Sequence, residues 1–179
     1  MQNTTPELTK ASKLGWPKLI LAALIFALVG VVAVYLAMAS GRTRSSVSLS
    51  MSPSSQKLTQ NSDFVVTVTL DTAGKSVNAV QANISYPADK FSYVGTDSST
   101  SSFAIQAEES QQPGSIRIAR GSTSAVSGSQ VVVTKLTFKP VASSRKSTIS
   151  FGSGTAVVSS TTNTNILSNT ISGQYSINP

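Results

Sequence analysis

The chain of 179 residues contains no cysteine and no histidine. Without cysteine it has neither a disulfide framework nor a thiolate metal site, and without histidine it lacks the commonest general base and transition-metal ligand. Acidic residues number only seven, and the only two that adjoin are Glu108 and Glu109. On a strand these two side chains point to opposite faces, whereas a glycosidase aims two carboxyl groups at one bond. No catalytic residue is predicted, and the chain is not expected to be an enzyme.

The basic residues that give the formal net charge of +7 are spread along the sequence and do not form one cluster. Five of the 14 basic residues flank a single apolar segment, and residues 46–179 carry nine basic and six acidic side chains, a net of +3. No basic stripe with interleaved aromatic residues is present, so nucleic acid is not a predicted partner.

No cofactor or metal site is predicted. A structural calcium ion would need Asp63, Asp71, Asp89 or Asp97 together with loop carbonyl groups. The sequence has no EF-hand loop, and isolated aspartates are ordinary turn residues.

A run of 21 residues from Leu19 to Ala39 contains no charged side chain. At ~1.5 Å per residue, a helix of this length spans roughly 30 Å, the thickness of the hydrocarbon core of a bilayer. Trp16 precedes the run and Tyr35 lies near its far end, where amphipathic aromatic residues settle at a membrane interface. The predicted organisation is a cytoplasmic tail at 1–18, a transmembrane signal anchor at 19–39, a linker at 40–45 and a folded domain at 46–179.

The orientation of this segment follows from the basic residues beside it. Three lysines precede the run and two arginines follow it, which favours a cytoplasmic N-terminus and an extracytoplasmic domain. Ala37 to Ala39, followed by Ser40, also fits a signal-peptide cleavage site. A retained single-pass anchor is favoured, because the run is longer than the usual ~7–15 residues of a signal peptide's apolar region.

Beyond residue 45, apolar residues alternate repeatedly with Ser, Thr, Asn and Gln, and no convincing helical period appears. The predicted inward faces are Val47, Leu49 and Met51; Phe64, Val66, Val68 and Leu70; Val80, Ala82, Ile84 and Tyr86; Phe91; Phe103, Ile105 and Ala107; Ile116 and Ile118; Val132, Thr134, Leu136 and Phe138; Ile149 and Phe151; Val157 with its neighbour Val158; and Ile171, Gly173, Tyr175 and Ile177. Tyr93 fits either an inward or an outward position. Turn dipeptides at Ala73-Gly74, Pro113-Gly114 and Ser127-Gly128 separate some of these runs. The pattern predicts an all-β domain, a two-sheet antiparallel sandwich of about nine strands.

Several segments after residue 45 form an ordered series. In VNAVQANISYPADKFSYVG, residues 77–95, an alternating strand ends in Tyr and is followed by a turn that contains proline. The other segments are the opening strands at 46–70, the segment from Gly114 to Gly121, VVVTKLTFKP at 131–140, and TAVVSSTTNTNIL at 155–167. Taken in this order, the segments resemble the cohesin family over about 46–179.

This resemblance implies a nine-stranded jelly-roll sandwich related to cellulose-binding modules. It also implies a function, since cohesins use one sheet face to bind dockerins, which are small calcium-loaded helical modules. The dockerin-contacting Asn and Asp of well-studied cohesins fall at about Gln81 and Ala79 here, and neither matches. Pro87 stands where the family has Asp after the strand-ending Tyr.

A polar strand face is the predicted recognition surface, since rigid strands fix the orientation of their side chains. By alternation, six side chains of this surface are predicted to point outward: Gln81, Asn83, Ser85, Gln106, Glu108 and Arg117. The predicted function is therefore that of a membrane-anchored module at the cell surface that binds a protein partner, dockerin-like or another envelope protein.

Two alternatives remain open at this stage. The same sandwich could bind a carbohydrate such as a cell-wall glycan, with Tyr93 as the aromatic contact. Alternatively, the chain could be a structural accessory subunit of an envelope complex, in which the transmembrane helix makes the contact.

Overall fold

The computed structural model describes residues 46–179, which fold into two β-sheets. The predicted tail, anchor and linker at 1–18, 19–39 and 40–45 lie outside the described residues. Within 46–179 there is no helix long and apolar enough to cross a membrane. The strands are β1 (Ser48–Ser52), β2 (Ser55–Thr59), β3 (Phe64–Asp71), β4 (Val77–Ser85), β5 (Phe91–Asp97), β6 (Ile105–Gln112), β7 (Ser115–Val126), β8 (Val131–Pro140), β9 (Ser144–Phe151), β10 (Ala156–Ser159), β11 (Asn169–Ile171) and β12 (Gly173–Asn178).

The two sheets are joined along one side of the sandwich. The five-stranded sheet has the order β11-β1-β3-β8-β5, and the seven-stranded sheet has the order β2-β12-β9-β4-β7-β6, with β10 also paired to β4. The chain passes from the first sheet to the second between β1 and β2, and again between β11 and β12. The pairings β1–β11 and β2–β12 are parallel, and the other strand pairs are antiparallel. The other side of the sandwich is left with two edge strands, β5 and β6.

The predicted two-sheet all-β fold is confirmed. The structure divides it into 12 strands rather than nine. The opening and closing segments of the domain are each split in two where they change sheets, and β10 is a short strand of four residues.

The alternating apolar residues meet between the sheets and form one core. Its largest fully buried side chains are Leu49, Met51, Leu70, Ile84, Phe91, Phe103, Ile116, Ile118, Leu136, Phe138, Ile149 and Tyr175. Aromatic rings form a cluster within it, with ring centroids 5.2 Å apart for Phe64 and Tyr175 and 5.2 Å apart for Tyr86 and Phe138. Burying one such side chain contributes about 1.5–3 kcal/mol relative to leaving it exposed, so this core is the main source of stability.

The turn predicted at Pro113-Gly114 joins β6 to β7. Gly114 has a φ of +85°, in the left-handed region that glycine adopts without strain. A Cβ atom there would lie 3.2 Å from the carbonyl oxygen of Tyr86. Glycine therefore suits this turn for both conformational and steric reasons.

The predicted inward face of β6 is wrong. Ile105 is 48% exposed, and Ala107 is exposed as well. The register with β7 shifts between Gln106 and Glu108, so that Ala107 is an unpaired bulge residue. The bulge places Gln106 and Glu108 on opposite sides of β6, and Phe103 lies before the strand begins, so one period of two does not run from Phe103 through Ala107.

Two other inward assignments also fail. Ile171 is 46% exposed, because the chain changes sheets at Ser172 and the alternation restarts at Gly173. In β8, Val133 rather than Val132 is fully buried. The β3–β8 register shifts between Val68 and Thr69, opposite this point.

Candidate functional site

One surface of the seven-stranded sheet brings together most of the predicted site residues. Along β4, β7 and β6, residues that pair across the strands project to the same side of the sheet. The side opposite the core, here called the outer face, carries Ala79, Gln81, Asn83, Ser85, Ile105, Glu108, Ser110, Ser115, Arg117, Ala119 and Gly121. Five of the six predicted residues are therefore on this face.

Arg117 links the strands of the outer face through its guanidinium group. Its Nε lies 3.1 Å from Oε2 of Glu108, and its Nη2 donates a hydrogen bond of 3.3 Å to Oε1 of Gln81. The Arg117 and Glu108 side chains are 49% and 41% exposed, respectively. An ion pair this exposed adds only about 0.2–1 kcal/mol to stability. Its main effect is to hold the side chains of three strands in a defined arrangement.

Gln81 and Asn83 also hold the loop at residues 152–155, which separates β9 from β10. The Gln81 side-chain amide donates to the carbonyl oxygen of Gly154 at 2.9 Å, and that of Asn83 donates to Ser153 at 2.6 Å. Thr155 Oγ1 accepts from the Asn83 backbone N–H at 3.2 Å. These amides therefore position a loop within the domain. Ser85, at the end of β4, is exposed.

A small apolar area adjoins this polar network on the outer face. Ile105 pairs with Gly121, which in turn pairs with Ala79. A Cβ atom on Gly121 would lie 3.9 Å from Cβ of Ile105, so the absence of a side chain leaves the isoleucine uncovered. Val158 lies opposite Ala79 on β10. Sequence alternation assigned Ile105 to the core, and no signal in the sequence marks the bulge that turns it outward.

Gln106 and Tyr93 lie at a different surface, on the open side of the sandwich. Gln106 pairs with Arg120, whose side chain is buried, so Gln106 projects from the opposite side of β6 to Glu108. A cleft runs there between the two edge strands. This edge cleft is lined by Phe91, Tyr93 and Thr96 of β5 and by Gln106, Glu109 and Gln111 of β6.

Tyr93 is partly buried in the wall of the edge cleft. Its ring packs on Phe138, with centroids 5.8 Å apart, and its hydroxyl group forms a hydrogen bond with Oγ1 of Thr96. Burial raises the pKa of the Tyr93 hydroxyl, the hydrogen bond with Thr96 opposes this, and the negative charge of Glu109 raises the pKa further. Glu109 lines the same cleft as Tyr93.

The four aspartates considered as calcium ligands have other partners. Asp63 pairs with Lys139 at 3.4 Å, and Asp89 pairs with Lys90 at 3.3 Å. Asp71 and Asp97 accept backbone hydrogen bonds within turns, at 2.8 and 2.9 Å. The hydrogen bonds from Ser99 lower the pKa of Asp97. Residues 46–179 contain no group of three or more acidic, histidine or cysteine side chains placed to hold a metal ion.

Comparison with known proteins gives one family and a set of similar folds. The model of the Cohesin domain family matches residues 50–177. No match was found among curated proteins.

Three solved structures illustrate the structural similarity. The sixth cohesin of scaffoldin B from Acetivibrio cellulolyticus, solved with a mutant Cel5 dockerin, has a TM-score of 0.63 and 19% identity, covering 74% of this chain and 99% of that one. A cohesin module of a family 33 glycoside hydrolase from Clostridium perfringens has a TM-score of 0.62 and 17% identity, with coverages of 75% and 98%. CaCohA2 from Clostridium acetobutylicum has a TM-score of 0.60 and 19% identity, with coverages of 75% and 92%. At these identities the similarity shows that the fold is shared.

Proposed function

Since the chain belongs to the cohesin family, we propose that its sandwich recognises a protein partner of the dockerin type through the outer face. Cohesins from Acetivibrio cellulolyticus and Ruminococcus flavefaciens were solved in complex with dockerins. By resemblance, the dockerin-contacting positions of cohesins correspond to about Gln81 and Ala79 in this chain. Both residues lie on the outer face of β4.

The observation that carries this proposal is the composition of the outer face. Ile105, 48% exposed, lies over small residues and beside the network of Gln81, Arg117 and Glu108. Protein interfaces are typically built from an apolar centre with a polar rim, in which a few anchoring side chains supply most of the binding energy. The hydrogen bonds from Gln81 and Asn83 to the loop at 152–155 make this face rigid, which lowers the entropic cost of binding.

Under this proposal the chain acts by binding and not by catalysis. Glu108 pairs with Ala119 and Glu109 pairs with Ile118, so the two carboxylates project from opposite sides of β6. Such an arrangement does not present both groups to one scissile bond, which a two-carboxylate hydrolase requires.

The proposal also includes a cellular location for the module. Residues 19–39 would hold the chain in a membrane, with the N-terminus in the cytoplasm and the sandwich outside. Protease added to intact cells should then remove a tag placed after Pro179, and alkaline carbonate washing should leave the chain in the membrane pellet. A tag protected in intact cells would contradict this orientation, and a mature chain beginning at Ser40 would show that the anchor is cleaved.

Binding of the purified full chain to a panel of dockerin modules, with and without calcium, tests the partner and the face together. Ile105→Asp should weaken binding at least about tenfold, because it places a charge at the centre of the interface. Val65→Asp is a matched control, since Val65 is 46% exposed on the other sheet. No binding to any dockerin would refute the partner. Equal loss in the two variants would refute the outer face.

A further inference from the structure

The edge cleft is a second surface, and its geometry is that of an elongated groove. Two cavities of about 290 and 380 Å³ adjoin along it and share Tyr93 and Gln111 as lining residues. The stretch of β6 from Gln106 to Gln111 is five residue steps, roughly 16 Å at ~3.3 Å per residue. A groove of this length accommodates several units of a chain molecule.

The residues of the edge cleft alternate along β6 with those of the outer face. Glu109 pairs with Ile118 and Gln111 pairs with Ile116, and both isoleucines are buried in the core. Glu109 and Gln111 therefore extend the inner side of the sheet past the last core residue and face β5. Both side chains line the edge cleft together with Tyr93.

From this arrangement we propose that the edge cleft binds a segment of a neutral polysaccharide. Tyr93 supplies an aromatic ring, which offers apolar contact area beside a hydroxyl group. The amides of Gln106 and Gln111 carry both donors and acceptors, and the carboxylate of Glu109 accepts hydrogen bonds. An apolar surface flanked by mixed donors and acceptors matches a sugar ring, which has an apolar face and a rim of hydroxyl groups.

The charge of the cleft selects among polysaccharides. Glu109 has no ion-pair partner within residues 46–179, and it raises the pKa of the neighbouring Tyr93. An anionic polymer would place negative charges beside the carboxylate of Glu109, which is unfavourable. Neutral chains, such as β-linked glucose or N-acetylglucosamine oligomers, meet no such penalty.

The two surfaces can be tested separately because Glu108 and Glu109 are neighbours that face opposite ways. The full chain, immobilised in detergent, is probed with hexasaccharides of β-linked glucose, xylose, N-acetylglucosamine and galacturonate, and with an unrelated extended peptide. We expect at least one neutral oligosaccharide to bind and the galacturonate oligomer not to bind. Tyr93→Ala should weaken binding at least about tenfold, and Gln111→Ala about fivefold. Glu109→Gln should relax the discrimination against galacturonate, while Glu108→Gln should change neither property.

A second variant tests the edge cleft in case Tyr93→Ala disturbs folding. Gln111 is exposed, so Gln111→Ala tests the same cleft without touching the core. The proposal is overturned if no neutral oligosaccharide binds, if binding survives both Tyr93→Ala and Gln111→Ala, or if only the peptide binds. Loss of glycan binding in Glu108→Gln alone would assign it to the outer face. Failure of the dockerin panel leaves this test intact, because that panel probes Ile105 on the opposite side of the sheet.

Discussion

Ile84 occupies the middle of the core and is 1% exposed. It pairs with Ile116 on β7 and with Phe151 on β9, so a strand flanks it on each side. We predict that Ile84→Asp abolishes folding of the full chain. An isolated buried carboxylate costs several kcal/mol, comparable with a domain's whole stability of about 5–15 kcal/mol.

Ser85 provides the control for this substitution, since it is exposed and points to the opposite side of the same strand. Ser85→Asp should leave the melting temperature within a few degrees of the wild type, as measured by circular dichroism. Equal tolerance of the two aspartates would show that the register of β4 is wrong, and the outer face would be wrong with it.

Tyr175 makes stability sensitive to alkaline pH. Burial raises its pKa to about 12 from the usual 10.0, so the folded state favours the neutral phenol. The unfolded chain ionises first, and the contribution of Tyr175 is therefore complete below about pH 10 and is lost between about pH 10 and pH 12. We predict that the urea midpoint falls across this window and that Tyr175→Phe makes the fall shallower. Tyr93, whose pKa is also raised, should account for part of the remaining decline.

The same substitution has a separate effect at neutral pH. The hydroxyl group of Tyr175 donates to the carbonyl oxygen of Pro53 at 2.9 Å, and its loss should cost about 1 kcal/mol. Parallel pH profiles for the wild type and Tyr175→Phe would rule out a role for this phenol in alkaline unfolding.

At the scale of elements, the loop at residues 98–104 is held over one end of the open side by a buried arginine. Arg120 is 6% exposed, and its Nε donates to the carbonyl oxygen of Phe103 at 2.9 Å. Ser101 Oγ adds a hydrogen bond of 2.6 Å to the carbonyl oxygen of Val133. We predict that Arg120→Met costs about 1–3 kcal/mol in urea unfolding, because a buried carbonyl group loses its donor.

Arg117→Met is the matched control on the same strand, since the Arg117 side chain is 49% exposed and its loss should change stability by no more than about 1 kcal/mol. Hydrogen exchange at residues 98–104 should quicken in Arg120→Met and not in Arg117→Met. Unchanged exchange in both variants would mean that other contacts hold this loop.

Stretches of strand with a continuous pairing register were predictable from sequence, and stretches beside a bulge were not. In β3 from Phe64 to Val68 and in β4 from Val80 to Ile84 the register is continuous, and the inward residues are buried as alternation predicts. In β6 the bulge at Ala107 exchanges the two sides, which moves Ile105 to the outer face and Gln106 to the edge cleft. A bulge is fixed by pairing with a strand distant in sequence, so a local period does not contain it.

The hydrogen-bond partners of the outward side chains could not be predicted from the sequence either. The sequence placed Gln81 and Asn83 outward, which the structure confirms. Their hydrogen bonds to residues 153 and 154 depend on a loop some 70 positions away, and nothing local specifies that contact. The proximity of Tyr93 to Glu109 likewise arises only because β5 and β6 end their sheets on the same side.

At the scale of the whole domain, the sandwich of residues 46–179 presents two different surfaces because its two sides are built differently. One side is closed by the chain passing between sheets, and the other is left open between β5 and β6. Since β6 is an edge strand, its two rows of side chains belong to different surfaces. Glu108 lies on the outer face, and Glu109 lines the edge cleft. If both proposals hold, the protein partner and the glycan would not compete for the same residues of β6.

We predict that residues 46–179 alone form a soluble monomer that unfolds in one cooperative transition. The core from Val47 to Ile177 is complete within this span, and domains near ~150 residues bury roughly two-thirds of their unfolded surface without needing disulfides. Charged side chains on an edge strand, as on β6, discourage edge-to-edge pairing. A fragment of residues 55–179 should not fold, because β1 pairs with β3 and β11 and supplies buried Leu49 and Met51. Light scattering and differential scanning calorimetry test both fragments. Association of the longer one, or a cooperative transition in the shorter one, would contradict an autonomous sandwich that begins at β1.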